Sequence, residues 1–304
     1  MGMKHIFMAI IATALWGLNF TAIRVGFDNM PPFLFLTLRF IVTTVPILFM
    51  IPRPNVSWWV LTKISATLWI GQFAFLFLGI YMGVPSGMAS LIIQLQSIFT
   101  VILSVMIYGY KPHYFNIIGM VTSFIGILLI ALQFGAEGSL LAFFFLIIAA
   151  FSVSSANILF KQAESAKMIS VITWSSLIPP IPMFLLSLSL EGWSTIIDVC
   201  ANMGMSGYLA LFYSAWVSTL IGTTIWGTLM RAYDPAMVVP FSLLVPVFGI
   251  TSGILFLDET ISIFDVVAIT CIILGLCFNQ FGNYYRKKGA LRSLQQDASV
   301  KQAA

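Results

Sequence analysis

Long apolar blocks separated by short polar breaks run through this chain. A bilayer core of about 30 Å needs roughly 20 apolar residues per helix. Read with that ruler, the blocks predict an all-α integral membrane protein with ten transmembrane helices, at 5–25, 32–50, 59–81, 85–108, 115–132, 139–160, 169–190, 206–230, 235–257 and 262–282. The connectors are short and leave no room for a soluble domain. Only 283–304 is polar, a basic tail expected to be disordered beyond its first turn.

The stretch 84–130 returns 149 positions later as 233–279. Phe99 falls on Phe248, Phe115 on Phe264 and Gly126 on Gly275, and the polar break Gly109-Tyr110-Lys111 lies over Asp258-Glu259-Thr260. Three identities between apolar segments are weak evidence, but the coincident break makes this a duplication. Near the start of each half the echo is Trp16-Gly17-Leu18-Asn19 against Val153-Ser154-Ser155-Ala156-Asn157, at an offset nearer 137. About a dozen residues were therefore added between, most simply in 191–205. The halves are 5–132 and 139–282. Five helices is an odd number, so the second half crosses the membrane in the opposite direction: two inverted five-helix repeats, the arrangement in which many secondary transporters bind substrate between the halves.

Composition agrees. Hydrophobic residues make up 60% of the 304 and charged ones 8%, with a mean hydropathy of +1.02, against roughly 25% charged in soluble domains. The net charge of +4 is no nucleic-acid signal, because what matters is where the charges fall. With the N-terminus inside, twelve of the fourteen Lys and Arg lie on the inner side, while Arg24 falls outside and Arg39 within the membrane. The positive-inside rule then places both termini in the cytoplasm. Lys4 ahead of an apolar run, with Ala12-Thr13-Ala14, resembles a cleavable leader. The run continues through Val25, so the first helix is expected to be retained.

A few polar residues inside the apolar blocks are candidates for chemistry. Arg39 is the single ionisable side chain well inside a segment, and facing lipid would cost it several kcal/mol. It either attracts a substrate carboxylate or snorkels outward and fixes packing. Asn19 and Asn157 occupy corresponding places and can both donate and accept; they bind a zwitterion or bond helix to helix. Gln72 is similar, and Gln94 and Gln96, two residues apart, point away from each other. Pro240 and Pro246 interrupt the ninth segment around Ser242, and Pro179, Pro180 and Pro182 the seventh; a membrane proline frees carbonyls that need partners or a wet cavity. Trp174, Tyr213 and Trp226 bound a cavity or anchor helix ends, and Gly17, Gly79, Gly222, Gly227 and Gly249 allow close helix approach.

Other classes lack their parts. No Asp or Glu lies deep in a helix: Asp234, Asp258, Glu259 and Asp265 sit at ends, as do His5 and His113. Intramembrane proteolysis by a serine–histidine or aspartate pair is therefore not indicated. No GxxxxGK[ST] occurs. Cys200, Cys271 and Cys277 form no CxxC and have no nearby His, so neither a metal nor a redox site is expected.

Trp16-Gly17-Leu18-Asn19-Phe20, Met30-Pro31-Pro32, Leu38-Arg39-Phe40, Gln72-Phe73-Ala74-Phe75-Leu76-Phe77, Gly87-Met88-Ala89-Ser90-Leu91 and Gln94-Leu95-Gln96 together resemble the EamA branch of the drug/metabolite transporter superfamily. So do Trp226-Gly227-Thr228-Leu229, Ser242-Leu243-Leu244-Val245-Pro246-Val247 and Leu257-Asp258-Glu259. The chain departs from the family's pattern at Gly109-Tyr110, where Gly-Glu is common, and at Val153, often tryptophan. The resemblance implies a multi-pass protein of the bacterial inner membrane, not an enzyme, exporting small metabolites by alternating access. Its substrates would be amino acids or derivatives of the cysteine and O-acetylserine type. The residues expected to bind substrate are Asn19, Arg39, Gln72, Gln94, Asn157, Trp226 and Ser242. Expected partners are that substrate, the lipid bilayer and a coupling proton, with no cofactor and no nucleic acid, in a monomer or homodimer. The rivals are export of aromatic amino acids, drugs or toxic compounds on the same fold, and a channel or lipid-handling protein.

Overall fold

A computed structural model describes residues 1–82, 84, 89, 91–131, 140–163, 166–257 and 262–303. Among these residues the ordered elements are all helical. Six helices are long and apolar enough to cross a bilayer: α1 (Met3–Phe27), α3 (Trp58–Tyr81), α6 (Leu140–Ala163), α7 (Met168–Leu190), α8 (Met205–Ala232) and α9 (Pro235–Phe256). Shorter apolar helices lie at the remaining expected segments: α2 (Pro32–Leu48), α4 (Ile93–Tyr108), α5 (Tyr114–Ala131) and the apolar part of α10 (Ile263–Ala303). The starts of the fourth and sixth expected segments, Gly87-Met88 and Ser90 of the motif above, and Asp258-Glu259-Thr260 lie outside the described residues.

Two expectations change. The polar tail continues α10 as helix to Ala303, because its Ala, Leu, Gln, Lys and Arg are strong helix formers and no proline interrupts them. The inserted stretch 191–205 holds a short helix, Trp193–Asn202, whose Ile196 and Val199 bury against Met30, Leu34 and Phe35 at the start of α2. Glu191, just before that helix, accepts hydrogen bonds from the backbone N–H groups of Phe33 (2.6 Å) and Leu34 (3.0 Å) and from Ser187 Oγ (2.7 Å). A carboxylate on the unpaired amides of a first helical turn satisfies donors that Pro31 and Pro32 leave without a side-chain cap.

The duplication is visible in the backbone. A π-helical turn, Ser65–Gly71, interrupts α3, and another, Tyr213–Gly222, interrupts α8. Adding the 149-residue offset moves the first inside the second. The 3₁₀ turn Ile93–Leu95 that opens α4 maps likewise into Val239–Leu244 of α9, where Pro240 and Pro246 forbid continuous α-helix. The prolines of α7 produce the expected break between Ser175 and Pro180.

The packing of α5 on α10 follows the same offset. Gly119 meets the carbonyl of Gly275, and Gly126 meets the carbonyl of Ala268 at 2.6 Å from where a Cβ would stand. The two positions rise along α5 as their partners fall along α10, so the helices are antiparallel. The offset sends Gly119 to Ala268 and Gly126 to Gly275, exchanging the partners, so these are one contact made twice. Ser123, between the two glycines, donates its hydroxyl to the carbonyl of Ile272 at 3.4 Å, and the offset maps these two residues onto each other. A side chain at Gly275 would overlap Ser123 Oγ and the Gly119 backbone.

Gly275→Ala should therefore destabilise the protein by about 1–3 kcal/mol, the usual range for overpacking. Gly249→Ala, whose nearest neighbouring atoms stand at 3.8 Å, should be close to neutral. Thermal unfolding of the two purified variants in detergent checks the difference.

Candidate functional site

Six of the seven expected site residues fall into three hydrogen-bonded groups. In the first, α8 joins α1 to α2. Asn19 Oδ1 accepts from Ser214 Oγ at 2.8 Å, Thr219 Oγ1 donates to the Ser214 carbonyl at 2.7 Å, and Arg39 Nε donates to Thr219 Oγ1 at 2.7 Å. Ser214 and Thr219 both lie in the π-helical turn. That turn frees the i→i−4 pattern and leaves a carbonyl for a hydroxyl five residues on. The sequence signal for this hydrogen-bonded group, though not for the turn, is the run of Ser214, Ser218, Thr219 and Thr223 along one apolar segment.

Arg39 faces the bundle interior rather than the outer end of its helix. It lies seven residues into α2, roughly 10 Å at 1.5 Å per residue, is 3% exposed, and turns toward α8. Its guanidinium stands 4.8 Å from the ring centroid of Phe73 on α3, a contact worth roughly 0.5–2 kcal/mol. It makes no ion pair with a described residue, and its Nη1 is buried without a hydrogen-bond partner. One hydroxyl and one ring face are weak compensation for a cation in low dielectric.

The second group centres on Asn157 of α6, 1% exposed. Its Oδ1 accepts from Trp226 Nε1 at 3.1 Å and its Nδ2 donates to Thr100 Oγ1 of α4 at 3.3 Å. Trp226 in turn packs on Trp16, ring centroids 5.0 Å apart. In the third group the two 3₁₀ turns meet: Ser242 Oγ lies 3.2 Å from Ser97 Oγ and 3.5 Å from Gln94 Oε1. The tighter turn buries Gln96 as well as Gln94, although an α-helix would have aimed them apart. Gln72 follows the π turn of α3, partly buried, outside all three groups. Trp174 and Tyr213 each donate to a backbone carbonyl of another segment, those of Ile51 and Leu15, at 3.2 Å each.

Satisfied and unsatisfied polar atoms separate in space. Nine buried side-chain polar atoms among the described residues have no partner, and seven of them belong to α2, α3, α7 and α8. They are Arg39 Nη1 and the hydroxyls of Thr44, Ser65, Thr173, Ser176, Ser218 and Thr224. Helix α2 packs on α3, α7 and α8, and α7 packs on α3 and α8, so these atoms share one four-helix region with two members from each half. A separate cavity of about 440 Å³ lies among α4, α5, the start of α9 and α10. Its lining is almost wholly apolar, and Ile117, Val121, Ile125 and Leu128 among it face outward, so it does not serve polar recognition. No cluster of three His, Cys, Asp or Glu suited to a metal occurs among the described residues.

Apolar spanning helices, π and 3₁₀ breaks at matching places in two halves, and buried polar groups between the halves define a multi-pass membrane transporter. The chain belongs to the EamA-like transporter family, whose model matches it twice, over residues 3–132 and 140–280. It is 38% identical over 293 residues to a "Probable amino-acid metabolite efflux pump" of Escherichia coli (strain K12), covering 94% of this chain and 98% of that one. A protein of the same name from Salmonella typhimurium (strain LT2) is 36% identical, over 94% of this chain and 98% of that one. A crystal structure with 17% identity superposes with a TM-score of 0.78, covering 94% of this chain and 99% of the other, which shows the fold.

The Asn157–Trp226 bond joins α6 to α8, so Asn157→Ala and Trp226→Phe should couple. The expected double-mutant interaction energy is about 0.6 kcal/mol and at most about 1.7, as for other bonds between membrane helices. Unfolding of the two single variants and the double variant in detergent measures it.

Proposed function

We propose that this protein is a secondary transporter of the bacterial inner membrane that exports amino acids or their derivatives, of the cysteine and O-acetylserine type. All ten apolar helices cross the membrane, both termini lie in the cytoplasm, and the two five-helix halves rock against each other to expose the site to each side in turn. The observation that carries this mechanism is the exchange-symmetric, antiparallel contact of α5 with α10. Two like helices related by a twofold axis perpendicular to their length belong to halves of opposite orientation, the architecture of alternating access. The substrate class rests on the two relatives named as amino-acid metabolite efflux pumps.

Substrate enters from the cytoplasm and meets Asn19, Gln72, Gln94, Asn157, Trp226 and Ser242 between the halves, with Arg39 supplying positive charge. Each of these except Arg39 is neutral, which suits a zwitterion. The hydrogen bonds that now tie them together are of the strength that a substrate can exchange for its own, at little net cost. A coupling proton would be carried by helix-end groups or by the substrate itself, and facilitated efflux without coupling is the equal alternative.

Uptake of labelled cysteine and O-acetylserine into inside-out vesicles tests the reading. Saturable uptake that unlabelled internal substrate accelerates is the expected result. No uptake of either, in vesicles holding folded protein, would move the substrate to aromatic amino acids or drugs. Asn19→Ala should lower that uptake several-fold at unchanged abundance, while unchanged uptake would remove Asn19 from the site.

A further inference from the structure

The buried cation and the unpaired hydroxyls on the helices packed with it narrow the substrate chemistry. We infer that Arg39 is the subsite for the carboxylate group of the transported amino acid, within the α2–α3–α7–α8 region; the inference rests on the exporter reading above. A guanidinium offers its donors in a planar fork that matches a carboxylate. Here Nε is committed to Thr219, whereas Nη1 is buried and unbonded. Among the described residues no carboxylate pairs with Arg39. Phe73, stacked between Trp69 and Phe77 at centroid distances of 6.3 Å each, holds the guanidinium plane from the α3 side. The ring face attracts the cation without consuming a hydrogen-bond donor.

The surroundings fit a carboxylate better than an ammonium. Ser218 on α8 and Ser176 at the break of α7 carry buried hydroxyls with no partner, and a hydroxyl can donate to an anion. Among the described residues, none of the unpaired groups in this region is a carboxylate that would recognise an amine. The α-amino group of the substrate is therefore bound elsewhere, by the neutral amides and hydroxyls of the first and third groups. Arg39 is an asymmetric addition to an otherwise repeated frame, and it gives the bound substrate one orientation.

Competition against labelled-cysteine counterflow in proteoliposomes tests this, with unlabelled cysteine and cysteinamide as the competitors. Cysteinamide keeps the amine and the thiol and lacks the carboxylate. With wild-type protein, cysteinamide should compete at least roughly tenfold more weakly than cysteine, as sites built on a polar contact reject analogues without it. Arg39→Gln should raise KM for cysteine by a similar factor, with a smaller change in kcat, and abolish the discrimination. Arg39→Lys should recover part of it, and Ser218→Ala should raise KM by roughly two- to fivefold. Equal competition by acid and amide with wild-type protein overturns the inference and leaves the exporter reading standing. An unchanged KM in Arg39→Gln does the same. Absence of counterflow for cysteine and every other amino acid tried overturns both. Where Arg39→Gln does not accumulate, the wild-type comparison and Arg39→Lys decide.

Discussion

Helices immersed in lipid gain nothing by burying apolar surface against one another, since lipid tails are as apolar as leucine. What holds them is close contact between backbones and the hydrogen bonds they exchange. Nearly every feature of this structure follows from that constraint. Gly17 lets α1 approach Phe248 and the amide of Gly249 on α9, a Cβ there standing 2.9 Å from that nitrogen. Gly119, Gly126 and Gly275 do the same for α5 and α10. Where helices stand further apart, side-chain bonds bridge them: Thr21 to Ser252 at 2.7 Å, Trp69 to Ser175 at 3.0 Å, Trp216 to the Val42 carbonyl at 2.9 Å.

The same constraint explains why the helix breaks come in pairs. A π or 3₁₀ turn releases backbone groups that hydrocarbon cannot satisfy. Such turns survive only where a neighbouring helix supplies partners, and a duplicated chain supplies them twice. Thr43 of α2 donates to the carbonyl of Ala215 in the π turn of α8 at 3.1 Å. At the 3₁₀ turns, Ser242 and Ser97 face each other across the halves. At the two π turns regular α-helix would have satisfied the backbone within the segment, so these breaks carry a cost that packing has to offset.

The apolar segments were legible because a bilayer demands length and apolarity and little else, and the duplication because a shared polar break survives where identities fade. Proline marked the breaks in α7 and α9. The π turns left no such mark: Ser65–Gly71 and Tyr213–Gly222 have ordinary helical composition, and π geometry arises from packing that a single segment does not record. The stretch 191–205 reads in the sequence as an added connector, and nothing in it marks Glu191. Its role depends on the first turn of a helix more than 150 positions away.

The polar candidates show the limit more sharply. Asn19, Asn157, Trp226, Gln94 and Ser242 were chosen because polar side chains stand out against apolar sequence, and each does lie between helices. Composition, however, cannot distinguish a polar group whose bonds are complete from one whose bonds are not. In the structure Asn157 has partners on two other helices, while Arg39, Ser176 and Ser218 retain unpaired atoms. Completed bonds stabilise one arrangement of the halves; uncompleted ones lower the energy only when something arrives to complete them. A carrier needs both kinds, because a site satisfied in every state would bind nothing, and a bundle satisfied in none would not assemble. Among the described residues seven of the nine uncompleted atoms lie on α2, α3, α7 and α8, whereas Asn157 completes its bonds between α4, α6 and α8, and on the proposed carrier reading that partition meets both demands.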